Sequence, residues 1–142
     1  MIKQLNNSHI NKVMDIWLKS NIIAHHFIPE DYWLKNYELV KSEYIPISKT
    51  FVYEEEDELK GFISIINGSF IGALFVSEAY QGQGIGKKLL NYCKQLYPSL
   101  DLCVYEDNIN AVEFYKAGGF EVVRQQLNED SGFKEYLMRW TR

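Results

Sequence analysis

The fold class this sequence predicts is a single mixed α/β domain spanning residues 1–142, with the element order β-α-α-β-β-β-α-β-α-β-β. That order implies a mixed, twisted sheet of about seven strands with four helices. Three observations predict it. The uncharged branched-apolar run Ile71 to Val76 has the length of a buried strand. It passes through a glycine-rich turn, Gln81-Gly82-Gln83-Gly84-Ile85-Gly86, directly into a pattern with apolar residues at Ile85, Leu89, Leu90, Cys93, Leu96 and Tyr97. That spacing is close to one face of a helix. Turn signals at Asn67-Gly68 and over Asn128 to Gly132 each separate two apolar runs, as in hairpins.

Taken in order, Met1 to Leu5 is a short strand. Asn7-Ser8 offers an N-cap to a helix that places Ile10, Val13, Met14, Trp17 and Leu18 on one face. After Ala24-His25-His26-Phe27-Ile28, Pro29 suits a first helical position. Tyr32, Trp33, Tyr37, Leu39 and Val40 then mark a second helix to about Tyr44, ended by Pro46. Thr50 to Glu54 and Gly61 to Ile66 read as strands joined by a solvated acidic turn, Glu55 to Glu58. Phe62 to Ile66 is expected to pair antiparallel with Phe70 to Val76 across Asn67-Gly68. A helix over about Gly84 to Leu96 leads past Pro98 to the strand Leu100 to Tyr105, a crossover that predicts a right-handed parallel pair. Asn110 with Glu113 resembles a capping box for a short helix, and Gly118-Gly119 ends it. Phe120 to Leu127 and Phe133 to Trp140 form the last hairpin.

At 142 residues the chain has room for a real core, because about two-thirds of the unfolded surface is buried at this size. A net charge of -4 argues against duplex nucleic acid, which needs clustered Lys and Arg. The N-terminus lacks the apolar core of a signal peptide, and no apolar stretch is long enough to span a bilayer. Cys93 and Cys103 fall on predicted apolar faces without ligand spacing, so a reduced cytoplasmic protein with no metal is expected.

The glycine-rich turn is where chemistry enters. The first amides of a helix have no intrahelical partner and carry partial positive charge, so a strand, a glycine turn and a helix start make an anion site. Two familiar phosphate motifs fail here. A P-loop needs glycine where Gln81 stands and Ser or Thr where Lys88 stands. A dinucleotide fingerprint needs glycine where Lys87 stands. A nucleotide-phosphate binder is disfavoured accordingly.

What remains, Gln-x-x-Gly-x-Gly after a buried strand, resembles the pyrophosphate signature of the GNAT N-acetyltransferases. A second segment, Asn108-Ile109-Asn110-Ala111-Val112-Glu113-Phe114-Tyr115-Lys116-Ala117-Gly118-Gly119-Phe120, is similar to that family's Asn-x-x-Ala-x-x-Phe-Tyr-x-x-x-Gly-Phe pattern. The element order matches as well, so the resemblance covers essentially the whole chain. His26-Phe27-Ile28 and Tyr32-Trp33 also resemble a segment of small single-domain bacterial members.

The resemblance implies acetyl-CoA as cosubstrate, its pyrophosphate held by the amides of Gln81, Gly82, Gln83, Gly84, Ile85 and Gly86, with Lys87 or Lys88 nearby. It implies backbone pairing of Leu74, Phe75 and Val76 with the pantetheine arm, in a slot where two strands splay apart, and a hydrogen bond from Asn108. It places Tyr115 beside the thioester sulfur. A phenol of pKa about 10 stays protonated at neutral pH and can act as general acid to a leaving thiolate. Phe114 is assigned to the core. The strand before the turn carries no carboxylate, so the base comes from elsewhere or through water. His25 and His26 are candidates because imidazole titrates near working pH. Phe27, Tyr32 and Trp33 are candidates for the acceptor wall. Cys103 could carry the acetyl group in a two-step route, but no oriented base is visible for it.

The expected reaction is direct attack of a primary amine on acetyl-CoA in a ternary complex. The acceptor is a peptide or protein lysine, an N-terminus, or a small amine, and the protein a monomer or homodimer that binds neither nucleic acid nor membrane. The alternative is a catalytically silent CoA-binding sensor, against which Tyr115 speaks.

Overall fold

The computed structural model describes residues Met1–Arg142 and contains one seven-stranded sheet. The strands are β1 (Ile2–Gln4), β2 (Lys49–Glu55), β3 (Glu58–Ile66), β4 (Phe70–Val76), β5 (Ser99–Tyr105), β6 (Glu121–Leu127) and β7 (Lys134–Thr141). The helices are α1 (Ile10–Ala24), α2 (Glu30–Leu39), α3 (Ile85–Leu96) and α4 (Ile109–Ala117). Spatial order is β1-β2-β3-β4-β5-β7-β6, antiparallel except at β4–β5. The expected antiparallel pairing is present, with Phe62 opposite Phe75 and Ile66 opposite Phe70, but the connection is the three residues Asn67 to Ser69 and not a two-residue turn.

Because side chains alternate across a strand, the sheet feeds two cores. Ile63, Ile71, Leu102 and Met138 pack on one face with Leu89 and Leu90 of α3 and Val112 of α4. Val52 and Phe62 pack on the other with Val13, Met14 and Trp17 of α1 and Trp33 of α2. Gly72 is the extra residue of a bulge, since Ser64 pairs with Ala73 while Ile65 pairs with Ile71.

Several local expectations are corrected. The first cap is Asn6, whose side chain accepts from the Ser8 amide at 2.9 Å, not Asn7-Ser8. The last helix is capped by Asn108, which accepts from the Ala111 amide at 3.3 Å, and not by the Asn110/Glu113 pair. Pro46 does not end the second helix. A π turn over Val40–Tyr44 carries it into a final turn, Ile45–Ile47, where the proline sits in an initial position that needs no amide donor. Cys93 is fully buried as expected, but Cys103 is exposed. Phe114 is only partly buried, because its ring lies beside the glycine turn.

Candidate active site

Between β4 and α3 the chain makes a 3-10 turn, Glu78–Tyr80, and then enters the glycine run. Gly82 and Gly84 have φ of +79° and +81°, the left-handed region that glycine adopts without a Cβ penalty. Gly84 caps α3 with no side chain, and the amides of Gly82 through Lys87 donate to no protein acceptor. They border a groove of about 360 Å³ walled by Val76, Tyr80, Ile85, Lys87 and Phe114. Lys87 therefore faces the groove. Lys88 turns away onto the Tyr53 ring, 5.7 Å from its centre. Gln81 reaches back and its Nε2 donates to the Val76 carbonyl at 3.1 Å, bracing the turn against the strand.

The sheet opens where the turn begins. β4 and β5 pair only at Phe70–Asp101 and Ile71–Leu102. Beyond that point β4 stays with β3 as far as Val76–Gly61, while β5 stays with β7 as far as Tyr105–Glu135. The Ser77 amide donates to the Lys60 carbonyl. Alternation along the antiparallel pair then turns the backbone groups of Phe75 toward β3 and those of Leu74 and Val76 into the gap. A cavity of about 270 Å³ occupies the gap and is lined by residues from both faces of the sheet.

Tyr115 of α4 enters this cavity from the α3/α4 face and is 8% exposed. Desolvation pushes its hydroxyl well above the ordinary phenol value, so the phenol stays protonated. His25, Trp33, Asn21 and Trp17 enter from the α1/α2 face, joined by Asn108 at the edge. The Asn108 Oδ1 is committed to the helix cap, so its Nδ2 is the group facing His25 Nε2 at 3.0 Å. That nitrogen must accept, which leaves the proton of the neutral ring on Nδ1. Burial pushes the His25 pKa down to about 4. With its lone pair engaged and its basicity lowered, His25 is a poor base and a good support for Asn108. His26 is exposed and lies in a separate groove with Ser77, Gln81 and Asn110, so the two histidines are not brought together.

Of the expected acceptor wall, Trp33 lines the cavity and stacks on His25 with ring centres 5.3 Å apart. Phe27 and Tyr32 stand behind it. Phe27 packs edge-on against Tyr105 and Phe133. The Tyr32 hydroxyl donates to Asp130 at 2.5 Å, and the Tyr105 hydroxyl donates to Ser131 at 2.9 Å. Both bonds dock the β6–β7 loop over the cavity. Cys103 lines it too, but partial desolvation and the Glu135 carboxylate push its thiol up to about 11, which suppresses the thiolate a covalent route requires.

Glu135 is the site residue that sequence reasoning missed. It is the one carboxylate in the cavity wall, 8% exposed, and shares a sheet face with Cys103 and Tyr105. A signal for it exists in the alternation Phe133, Glu135, Leu137, where a charge interrupts an apolar face.

Residues 30–142 match the family described as an acetyltransferase (GNAT) domain. The chain belongs to the GNAT acetyltransferases. It is 35% identical over 140 residues to the peptidyl-lysine N-acetyltransferase YiaC of Escherichia coli, covering 99% of this chain and 96% of that one. The solution structure of apo YjaB from Escherichia coli superposes with a TM-score of 0.85 at 26% identity, covering 99% and 96% of the two chains. The PaiA N-acetyltransferase of Thermoplasma acidophilum, solved with coenzyme A, shares the fold at 18% identity, with a TM-score of 0.83 and coverage of 100% and 98%.

As a GNAT enzyme the chain is an acetyl-CoA-dependent N-acetyltransferase. The free amides of the glycine turn fit a diphosphate, because a Cβ built on Gly82 or Gly84 meets no atom within 4 Å. The open edge, formed by the backbone groups of Leu74 and the Val76 amide, fits an extended amide-bearing arm, which adds to a sheet edge like a strand. No helix of the chain is long and apolar enough to cross a membrane.

Proposed function

We propose that the protein acetylates lysine side chains of peptides or proteins by direct attack within a ternary complex. One observation carries this reading: the cavity at the β4–β5 gap is lined from both faces of the sheet, which gives donor and acceptor separate sides from which to meet. On the donor side the turn amides and Lys87 hold the pyrophosphate, and Leu74 and Val76 hold the arm. Tyr115 then stands at the thioester sulfur. The neutral amine attacks the carbonyl carbon, the C–S bond breaks, and the phenol supplies the proton to sulfur. The similarity to YiaC over nearly the full chain supports lysine as acceptor. We assign the protein to the cytoplasm on the strength of its two free thiols.

The test has two parts. Acetyl-CoA at a hundredfold excess over its Kd raises the unfolding free energy by about 2.7 kcal/mol, while ATP and NAD do not. Free-thiol release is then followed with lysine peptides, N-terminal peptides and small amines. Stabilisation without thiol release from any amine identifies a CoA-binding sensor and ends the lysine reading.

A further inference from the structure

The Glu135 carboxylate is buried, yet it forms an ion pair with no Lys, Arg or His of the chain. Both its oxygens are oriented by neutral amides instead: Gln126 Nε2 donates to Oε2 at 2.6 Å and Asn128 Nδ2 donates to Oε1 at 3.1 Å. Gln126 is itself fixed by Arg124, whose Nε donates to Oε1 of that amide at 2.9 Å. A negative charge kept in a cavity without a countercharge is unfavourable unless a cation arrives to share it. The cavity walls supply none. Cys103 and Tyr105 on β5 share the sheet face of Glu135, neutral His25 lines the same cavity, and Arg124 of β6 reaches the carboxylate only through the Gln126 amide. Tyr32 and Asp130 close the outer rim.

We propose that Glu135 is the acceptor subsite: it receives the ammonium of the incoming primary amine and takes its proton. This rests on the amine-acetylating reading above and adds the group that selects and activates the acceptor. The carboxylate lies on the α1/α2 side of the gap, opposite Tyr115. The ammonium transfers one proton to the carboxylate and becomes a neutral amine. That amine forms the C–N bond. As the C–S bond breaks, Tyr115 gives its proton to sulfur and regains one from the nitrogen. The carboxylic acid then releases its proton to water, so one proton leaves per turnover. An apolar or anionic acceptor has no counterpart at this position.

The test uses the full chain with acetyl-CoA and a lysine peptide. Glu135→Gln is expected to lower kcat/KM at least a hundredfold at pH 7 while leaving the acetyl-CoA-induced stabilisation unchanged. Its log kcat/KM then climbs with unit slope toward alkaline pH, where solution supplies the neutral amine, and Glu135→Asp recovers part of the rate. A loss of equal size at every pH, or an unchanged rate, overturns the proposal. If the wild type releases no thiol with the peptide, the lysine reading fails separately. Glu135 is then judged by binding: n-butylammonium should protect the CoA-loaded wild type against thermal unfolding and not Glu135→Gln, and equal protection overturns the subsite.

Discussion

Tyr115 and Cys103 line the same cavity, and desolvation acts on both in the same sense. The shift keeps the Tyr115 phenol in its protonated form, and it suppresses the thiolate that a covalent route through Cys103 would need. Single-residue chemistry therefore separates the direct route from the covalent one. Tyr115→Phe keeps the ring against Phe114 and Phe120, whose centres lie 5.2 and 5.5 Å away, and removes only the hydroxyl. It should bind acetyl-CoA normally and lose about a hundredfold in turnover, read by stopped thiol-release assays. An undiminished rate would assign the proton to another donor. Tyr115 was legible because it sits in a contiguous pattern with Asn108 and Gly118-Gly119. Glu135 leaves only a charge that interrupts the Phe133–Leu137 alternation, and that signal does not say whether the acid faces water or a cavity.

At the level of elements, the strand–turn–helix unit was readable because each part is set by neighbours in sequence: branched residues, then glycines, then an amphipathic repeat. The turn is also where a backbone change has the clearest outcome. Gly84 holds φ of +81° with open space around its Cα, so alanine there meets no atom and pays only the left-handed penalty. Gly84→Ala should destabilise by about 1–2 kcal/mol in urea titrations, and it should weaken acetyl-CoA because relaxing φ re-aims the amides that follow. A variant of wild-type stability and affinity would show that the left-handed cap is dispensable. The π turn at Val40–Tyr44 was not readable. Proline is an ordinary stop signal, and only packing of Val40 and Ile45 on the core of the α1/α2 face explains why the helix carries on past it.

For the molecule as a whole, the fate of His25 links the fold to pH. Its folded pKa of about 4 lies below the unfolded value of 6.5, so the unfolded chain binds more protons between those values. Stability is therefore complete above pH 6.5 and declines as pH falls from 6.5 toward 4. The full difference is on the order of 3 kcal/mol. Urea midpoints measured from pH 8 to 4 should show this decline, and His25→Gln should flatten it. A slope unchanged by that substitution would place the titrating group elsewhere. The same burial aligns Asn108, so acidification should also loosen the edge of the site.

By itself the sequence determined the α/β order, the glycine turn and the Asn108–Tyr115 segment, because those depend on local spacing. The tertiary structure alone decided three things: that β4 parts from β5 after Ile71, that one histidine is buried neutral while its neighbour faces another groove, and that Glu135 meets the cavity of Tyr115 from the opposite face. The reason is that these depend on which strands pair and for how long. Register and facing are settled only when distant segments pack against one another.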